Sequence, residues 1–192
     1  NPYESKSVTI AGEVSDTNKD DQLIPDLIGR VDFKGSWGTA GVAVLARKFV
    51  MDNHIPSDFD DSTISGAMSV TARFPIWHGS LGLQANYGAL GRYLELGPYP
   101  DTYVENGKLN AFMAKGVSAV YSHTWRKGLR STLALAHTES AQNLSNFSPA
   151  SIDTTSTFQA NVFWDPMEKT TLGLEYGLYR IELADGIKQD IY

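Results

Sequence analysis

The feature that most constrains this chain is a double alternation: apolar and polar residues take turns along nearly every segment, and the links between segments are in turn short and long. The stretch Gly29-Arg30-Val31-Asp32-Phe33-Lys34 shows the first alternation. On an extended backbone Arg30, Asp32 and Lys34 share one face, and Gly29, Val31 and Phe33 share the other. Almost no run has a helical period. The period of two predicts strands over 5–14, 25–35, 39–50, 63–74, 81–94, 112–125, 130–141, 155–165 and 170–183, with another starting at 189–192.

The links carry the second alternation. G-S-W-G at 35–38, P-I-W-H-G-S at 75–80, R-K-G-L at 126–129 and D-P-M-E-K at 165–169 are tight and turn-like. S-D-T-N-K-D-D, D-N-H-I-P-S-D-F-D-D, G-P-Y-P-D-T-Y-V-E-N-G and N-L-S-N-F-S-P-A-S are longer and polar. In a sheet whose strands run up and down, every short turn then falls at one end and every long loop at the other. Outer-membrane barrels show this polarity, with short periplasmic turns and long outer loops. All four tryptophans sit at the short-turn end: Trp37 and Trp77 inside two of the turns, Trp125 and Trp164 just before the other two. Indole settles at the level of lipid headgroups, so these four read as half of an aromatic girdle.

The faces can be followed along each strand. Ile64, Gly66, Met68, Val70, Ala72 and Phe74 form an apolar series against Ser65, Ala67, Ser69, Thr71 and Arg73. Leu81, Leu83, Ala85, Tyr87, Ala89 and Tyr93 stand against Gln84, Asn86 and Arg92, and Phe158, Ala160, Val162 and Trp164 against Thr157, Gln159 and Asn161. Leu172, Leu174 and Tyr176 stand against Gly173 and Glu175. A soluble sandwich would bury the apolar face and a membrane barrel would show it to lipid, and alternation alone leaves both open. The uneven links and the tryptophan band favour lipid on the apolar side, with Arg30, Asp32, Lys34, Arg47, Arg73, Arg92 and Glu175 lining a watery lumen.

Composition narrows the remaining classes. The 192 residues suffice for one domain, the net charge of −6 argues against a nucleic-acid binder, and the absence of cysteine excludes disulfides and thiolate metal sites. The apolar runs fall far short of the roughly 18 residues of a spanning helix, so a membrane reading rests on strands. Asp52, Asp58, Asp60 and Asp61 offer oxygen ligands without the spacing of an EF-hand and read as a solvated acidic loop, able to meet divalent cations on lipopolysaccharide. His54, His78, His123 and His137 show no metal-ligand spacing, and no serine lies in a G-x-S-x-G elbow. No enzyme, cofactor or metal centre is expected.

The stretches L-I-P-D-L-I-G-R-V-D-F-K-G-S-W-G, V-L-A-R-K-F, N-Y-G-A-L-G-R-Y-L, R-S-T-L-A-L-A, Q-A-N-V-F-W-D-P and T-L-G-L-E-Y-G-L-Y-R resemble, in this order, the DcaP-like family of Gram-negative outer-membrane porins over about residues 20 to 186. The resemblance implies an all-β, antiparallel up-and-down transmembrane barrel of 16 strands. This chain would supply 9 or 10 of them as a single barrel domain over 1–192, incomplete at both ends. It further implies a homotrimer in the cell outer membrane that passes small anionic solutes such as dicarboxylates. Arg30, Arg47 and Arg92 fall within the matching motifs and are the first candidates for the solute path. An arginine keeps its charge at physiological pH and can grip a carboxylate through two parallel hydrogen bonds.

Three readings therefore stand: a diffusion channel whose arginine-lined lumen favours anions, a soluble all-β module binding carbohydrate or another ligand, and an outer-membrane barrel that conducts nothing. The inward charges could equally form a salt-bridge lattice that braces the wall and selects nothing. Among the long loops, G-P-Y-P-D-T-Y-V-E-N-G is the candidate to fold inward and narrow a pore.

Overall fold

The computed structural model describes residues 7–9, 25–52, 60–90 and 99–191. Its strands are β1 (Ser7–Thr9), β2 (Leu27–Gly35), β3 (Gly38–Asp52), β4 (Asp60–Ile76), β5 (Gly79–Gly88), β6 (Thr102–Glu105), β7 (Lys108–Ala111), β8 (Ala114–Arg126), β9 (Leu129–Ser140), β10 (Ile152–Met167), β11 (Thr170–Leu183) and β12 (Lys188–Ile191). Nine of them form one sheet in the order β12-β11-β10-β9-β8-β5-β4-β3-β2, with every pairing antiparallel. The sheet is an up-and-down meander, as the period of two predicts. The one helical element among the described residues is a 3-10 turn at Leu144–Asn146.

The four short links are two-residue turns, and all lie at one end of the sheet. Three of them hold a residue at left-handed φ that closes a tight hairpin with the twist of its strands, Trp77 at 49°, Gly128 at 76° and Lys169 at 64°, and after the first the positive φ falls on Gly38, at 134°, which opens β3. Long links occupy the opposite end. The exception is 184–187 between β11 and β12, a brief turn in which the Ile187 amide donates to Asp185 Oδ1 at 2.9 Å.

The structure corrects the sequence reading at three places. The segment expected as a strand over 5–14 contributes β1, which joins the meander nowhere and instead runs parallel to β6. The strand expected over 81–94 ends at Gly88, and residues 91–98, with Arg92, lie outside the described residues. The link holding G-P-Y-P-D-T-Y-V-E-N-G contains an unforeseen hairpin, β6 and β7, closed by Asn106 and Gly107 at φ 52° and 68°. Asn-Gly between two short strand-prone runs is the strongest local hairpin signal a sequence carries, and it was present as E-N-G-K.

Among the described residues, no second sheet or helical layer covers either face of the central sheet along its length. Among the described residues, buried apolar side chains gather at the long-loop end, in two small clusters. Tyr99, Phe112, Ala114 and Leu144 form one, with Tyr103, Phe147, Ile152 and Ala184 against it. Phe49, Ala89 and Leu109 form the other, with Val104, Ala111 and Met113 against it. The described core is thus a cap in which the 99–113 segment and the 141–151 link pack on strand ends of β3, β8 and β10, at one end of a two-faced sheet.

Candidate functional site: the charged face and the loop folded on it

Residues directly opposite in an antiparallel pair point to the same side, so the register sorts the whole sheet. One side carries Arg30, Asp32 and Lys34 from β2, Thr39, Gly41, Ala43, Leu45, Arg47 and Phe49 from β3, and Ser65, Ser69, Thr71 and Arg73 from β4. It continues through Gln84 and Asn86, Ser118 and Ser122, Thr132 and Thr138, and Thr157, Gln159 and Asn161 to Glu175. The other side carries Val31, Phe33, Val42, Val44, Ile64, Met68, Val70, Leu83, Tyr87, Val117, Leu133, Leu135, Val162, Leu172 and Leu174, all exposed. Ile64 and Leu174 reach 77% and 78% exposure. The apolar series fall on the sides the alternation predicts, and Lys48, Lys115, Glu139, Arg180 and Glu182 share the apolar side at its long-loop end.

The cations of the polar face differ in what they touch. Arg30 lies flat on its neighbour two residues along: Nε is 3.0 Å from both Asp32 oxygens, and Nη2 is 2.8 Å from Oδ1. Gly41 makes this possible. A Cβ there would meet Asp32 Oδ1 at 2.5 Å and Arg30 Nη2 at 3.1 Å, so the pair rests in the space of a missing side chain. Arg130 pairs with Asp165 at 2.8 Å, its guanidinium 5.2 Å from the Phe163 ring centre, and Thr171 donates to the other Asp165 oxygen. Arg73 behaves otherwise: Nε and Nη2 lie 3.2 and 2.9 Å from the neutral Ser80 hydroxyl. Lys34 stands exposed in the same cross-strand row, with Thr39 of β3 between the two.

Arg47 faces the expected side, yet it is not open to a solute. It is 2% exposed. Its Nε is 3.5 Å from Asp26, its Nη1 is 3.2 Å from Asp101 and 3.3 Å from the Ala89 carbonyl, and its guanidinium sits 4.4 Å from the Phe49 ring centre. What covers it is the segment 99–113, folded onto the polar face. The same segment is tied down by the Leu109 amide, which donates to Asp61 at 2.7 Å, and by the Tyr99 hydroxyl, which donates to the Asp153 carbonyl at 2.9 Å. Burial pushes the Tyr99 phenol up from its ordinary range, so it stays a neutral donor. Sequence reasoning suspected this loop but missed its clamp. Asp26 and Asp101 lie 21 and 54 positions from Arg47, and only the fold brings them together.

The tryptophans group on the apolar side near the short turns. Trp37 packs on Phe74 at 6.0 Å between ring centres, and Trp77 meets Tyr121 edge-on at 6.2 Å. Trp125 Nε1 donates to Ser131 at 3.0 Å, and Trp164 lies opposite Leu129 and Leu172. His78 and His123 join this cluster with rings 6.2 Å apart, a pairing their spacing did not suggest, because β5 and β8 neighbour each other only in the fold. Among the described residues no three metal-binding side chains come together.

A long antiparallel meander with one lipophilic side, one charged side, short turns at one end and a loop folded on the charged side is the wall architecture of outer-membrane β-barrels. A solved structure agrees on the fold. The crystal structure of the outer membrane channel DcaP of Acinetobacter baumannii superposes with a TM-score of 0.81 at 16% sequence identity, over 96% of this chain and 53% of that one. The chain therefore spans about half the length of the channel it matches. No protein-family model matches the sequence, and no curated protein is significantly similar to it.

Proposed function

We propose that this chain forms part of the wall of an outer-membrane porin, a passive channel whose lumen is the charged face described above. The observation that carries this reading is the position of the apolar side chains. A water-soluble monomer rarely exposes a contiguous apolar patch above a few hundred Å², whereas here one sheet face is aliphatic and aromatic from the short turns upward, with Lys48, Lys115, Glu139, Arg180 and Glu182 confined to its long-loop end, and the mid-sheet charges lie on the other face. Strand lengths fit as well. Crossing the hydrocarbon takes roughly 9–11 tilted residues, and β2, β3, β4, β5, β8, β9, β10 and β11 have between 9 and 17.

In this reading Trp37, Trp77, Trp125 and Trp164 are the girdle of one membrane interface. Trp77 supports the role: it occupies a left-handed turn position at φ 49° where Gly or Asn is cheaper, and it is 84% exposed. Strain kept at such a site points to a use for the indole. The remaining strands of a 16-stranded barrel, the homotrimer, contact with lipopolysaccharide and a preference for small anions such as dicarboxylates extend the same proposal, and segment 99–113 is its constriction. Glu175 on β11 shares the polar face with Arg73 on β4, with β5, β8, β9 and β10 between them, and opposite charges so separated give the lumen a transverse field.

The test is electrophoretic and electrical. The detergent-extracted chain, run unheated and boiled in SDS, shifts on heating if it belongs to a closed barrel, and planar bilayers then show stepwise conductance. Good solubility without detergent, no heat shift and no conductance would favour a soluble ligand-binding module instead.

A further inference from the structure

Resting on the porin reading, we infer that Lys34 and Arg73 together form the anion-binding step of the lumen, a subsite for one small oxyanion, and that Arg30, Arg47 and Arg130 serve the wall instead. The difference lies in compensation. Arg30 is neutralised by Asp32 through a two-oxygen grip seated over Gly41. Arg47 is sealed between Asp26 and Asp101, and Arg130 is held by Asp165 and Phe163. A guanidinium already satisfied by a carboxylate attracts a passing anion weakly, because the pair presents a dipole whose field fades over a few ångströms.

Among the described residues no carboxylate pairs with Arg73. Its hydrogen bonds go to a neutral hydroxyl and use two of its five N–H donors, leaving the rest for an incoming anion. The site has room: directly opposite Arg73 stand Thr39 on β3 and Gly82 on β5, and the space beside Gly82 holds nothing nearer to a built Cβ than a carbonyl at 3.8 Å. Lys34 is directly opposite Thr39 on β2, which places the two cations two strand spacings apart, about 10 Å between backbones. The carboxylate nearest Lys34 along the chain, Asp32, is occupied by Arg30. Both cations can therefore lean toward one carboxylate or phosphate group over Thr39; the next row holds the neutral Gln84 and Thr71 and, at its β2 end, Asp32, whose charge is taken up by Arg30. The step lies near the short-turn end, beyond the folded loop.

The measurement is reversal potential in a KCl gradient across planar bilayers, followed by block of chloride current with orthophosphate and with acetate. The wild-type chain should favour chloride. Arg73→Ser and Lys34→Ser should each lower the anion-to-cation permeability ratio several-fold, and the double variant about tenfold, with orthophosphate and acetate block lost in parallel. The paired change Arg30→Ser with Asp32→Ser, which removes a neutral unit, should leave the ratio within about twofold. Arg73→Lys keeps the charge and should retain the selectivity while weakening block, which separates loss of charge from loss of fold. Loss of block by orthophosphate alone would assign the subsite to phosphates, and loss of block by acetate alone to carboxylates. Conductance whose selectivity ignores Lys34 and Arg73, or responds equally to the Arg30 and Asp32 pair, would overturn the subsite while leaving the channel intact. Absence of conductance from the wild-type chain would overturn the porin reading and the subsite with it.

Discussion

Replacing Arg47 by methionine should release the segment 99–113 from the charged face. Methionine keeps a flexible apolar stem against Phe49, so the change removes mainly the cation and its contacts: Asp26 at 3.5 Å, Asp101 at 3.2 Å and the Ala89 carbonyl at 3.3 Å. Asp101 is 4% exposed, and breaking a buried pair by deleting one partner costs about 3–5 kcal/mol, because the remaining charge has lost its counterion. That energy falls on the docked loop alone, since the undocked loop returns Asp101 to water. At about 1.4 kcal/mol per decade, the equilibrium for local opening should rise by roughly two to three and a half orders of magnitude. The Leu109 amide is the reporter, because it bonds to Asp61 only while the loop is down. Hydrogen exchange at Leu109 in detergent should accelerate accordingly, whereas exchange in mid-sheet, for example at Val70, should not change. Protection of Leu109 within about threefold of wild type would refute the clamp and leave the apolar clusters around Phe112 and Phe49 as the true anchors.

Other outcomes follow from the same geometry. Val70→Lys places a charge at mid-height on the apolar side and should cost about 2–4 kcal/mol of barrel stability in bilayers, while Thr71→Lys, one residue on and facing the lumen, should cost little; equal costs by urea titration in lipid would remove the assignment of faces. Gly41→Val should drive the Arg30 and Asp32 pair off β3 and destabilise the sheet by about 1–3 kcal/mol, visible as a lower transition temperature and, by NMR, as loss of the hydrogen-bonded Arg30 Nε–H signal. Trp77→Gly should relieve about 1–2 kcal/mol of left-handed backbone strain and yet weaken insertion into lipid vesicles, which insertion kinetics alongside thermal melts in detergent would show as opposite signs. Gly107→Val forces a β-branched residue to φ 68° with no nearby atoms to clash, so its cost should come from backbone strain alone and appear as faster exchange confined to β6 and β7.

Much of this molecule was legible residue by residue. A strand reports its two faces in its own sequence because successive side chains must point oppositely, so Val31 and Phe33 separate from Arg30, Asp32 and Lys34 by position along the chain alone. Tight turns betray themselves through the few residues that close them, which is why both ends of the sheet could be told apart, and Asn106-Gly107 marks the unforeseen hairpin by the same local chemistry. The tertiary structure alone decided which cations are compensated. Whether Arg30, Arg47 or Arg73 carries an unopposed charge depends on a carboxylate two residues away, on two carboxylates 21 and 54 residues away, and on a hydroxyl across a turn. Local periodicity determines the side a residue faces, since that is set by backbone geometry within a few residues. Coulomb pairing is set by distance in space, and only the register of the strands and the descent of a loop onto them convert sequence separation into ångströms.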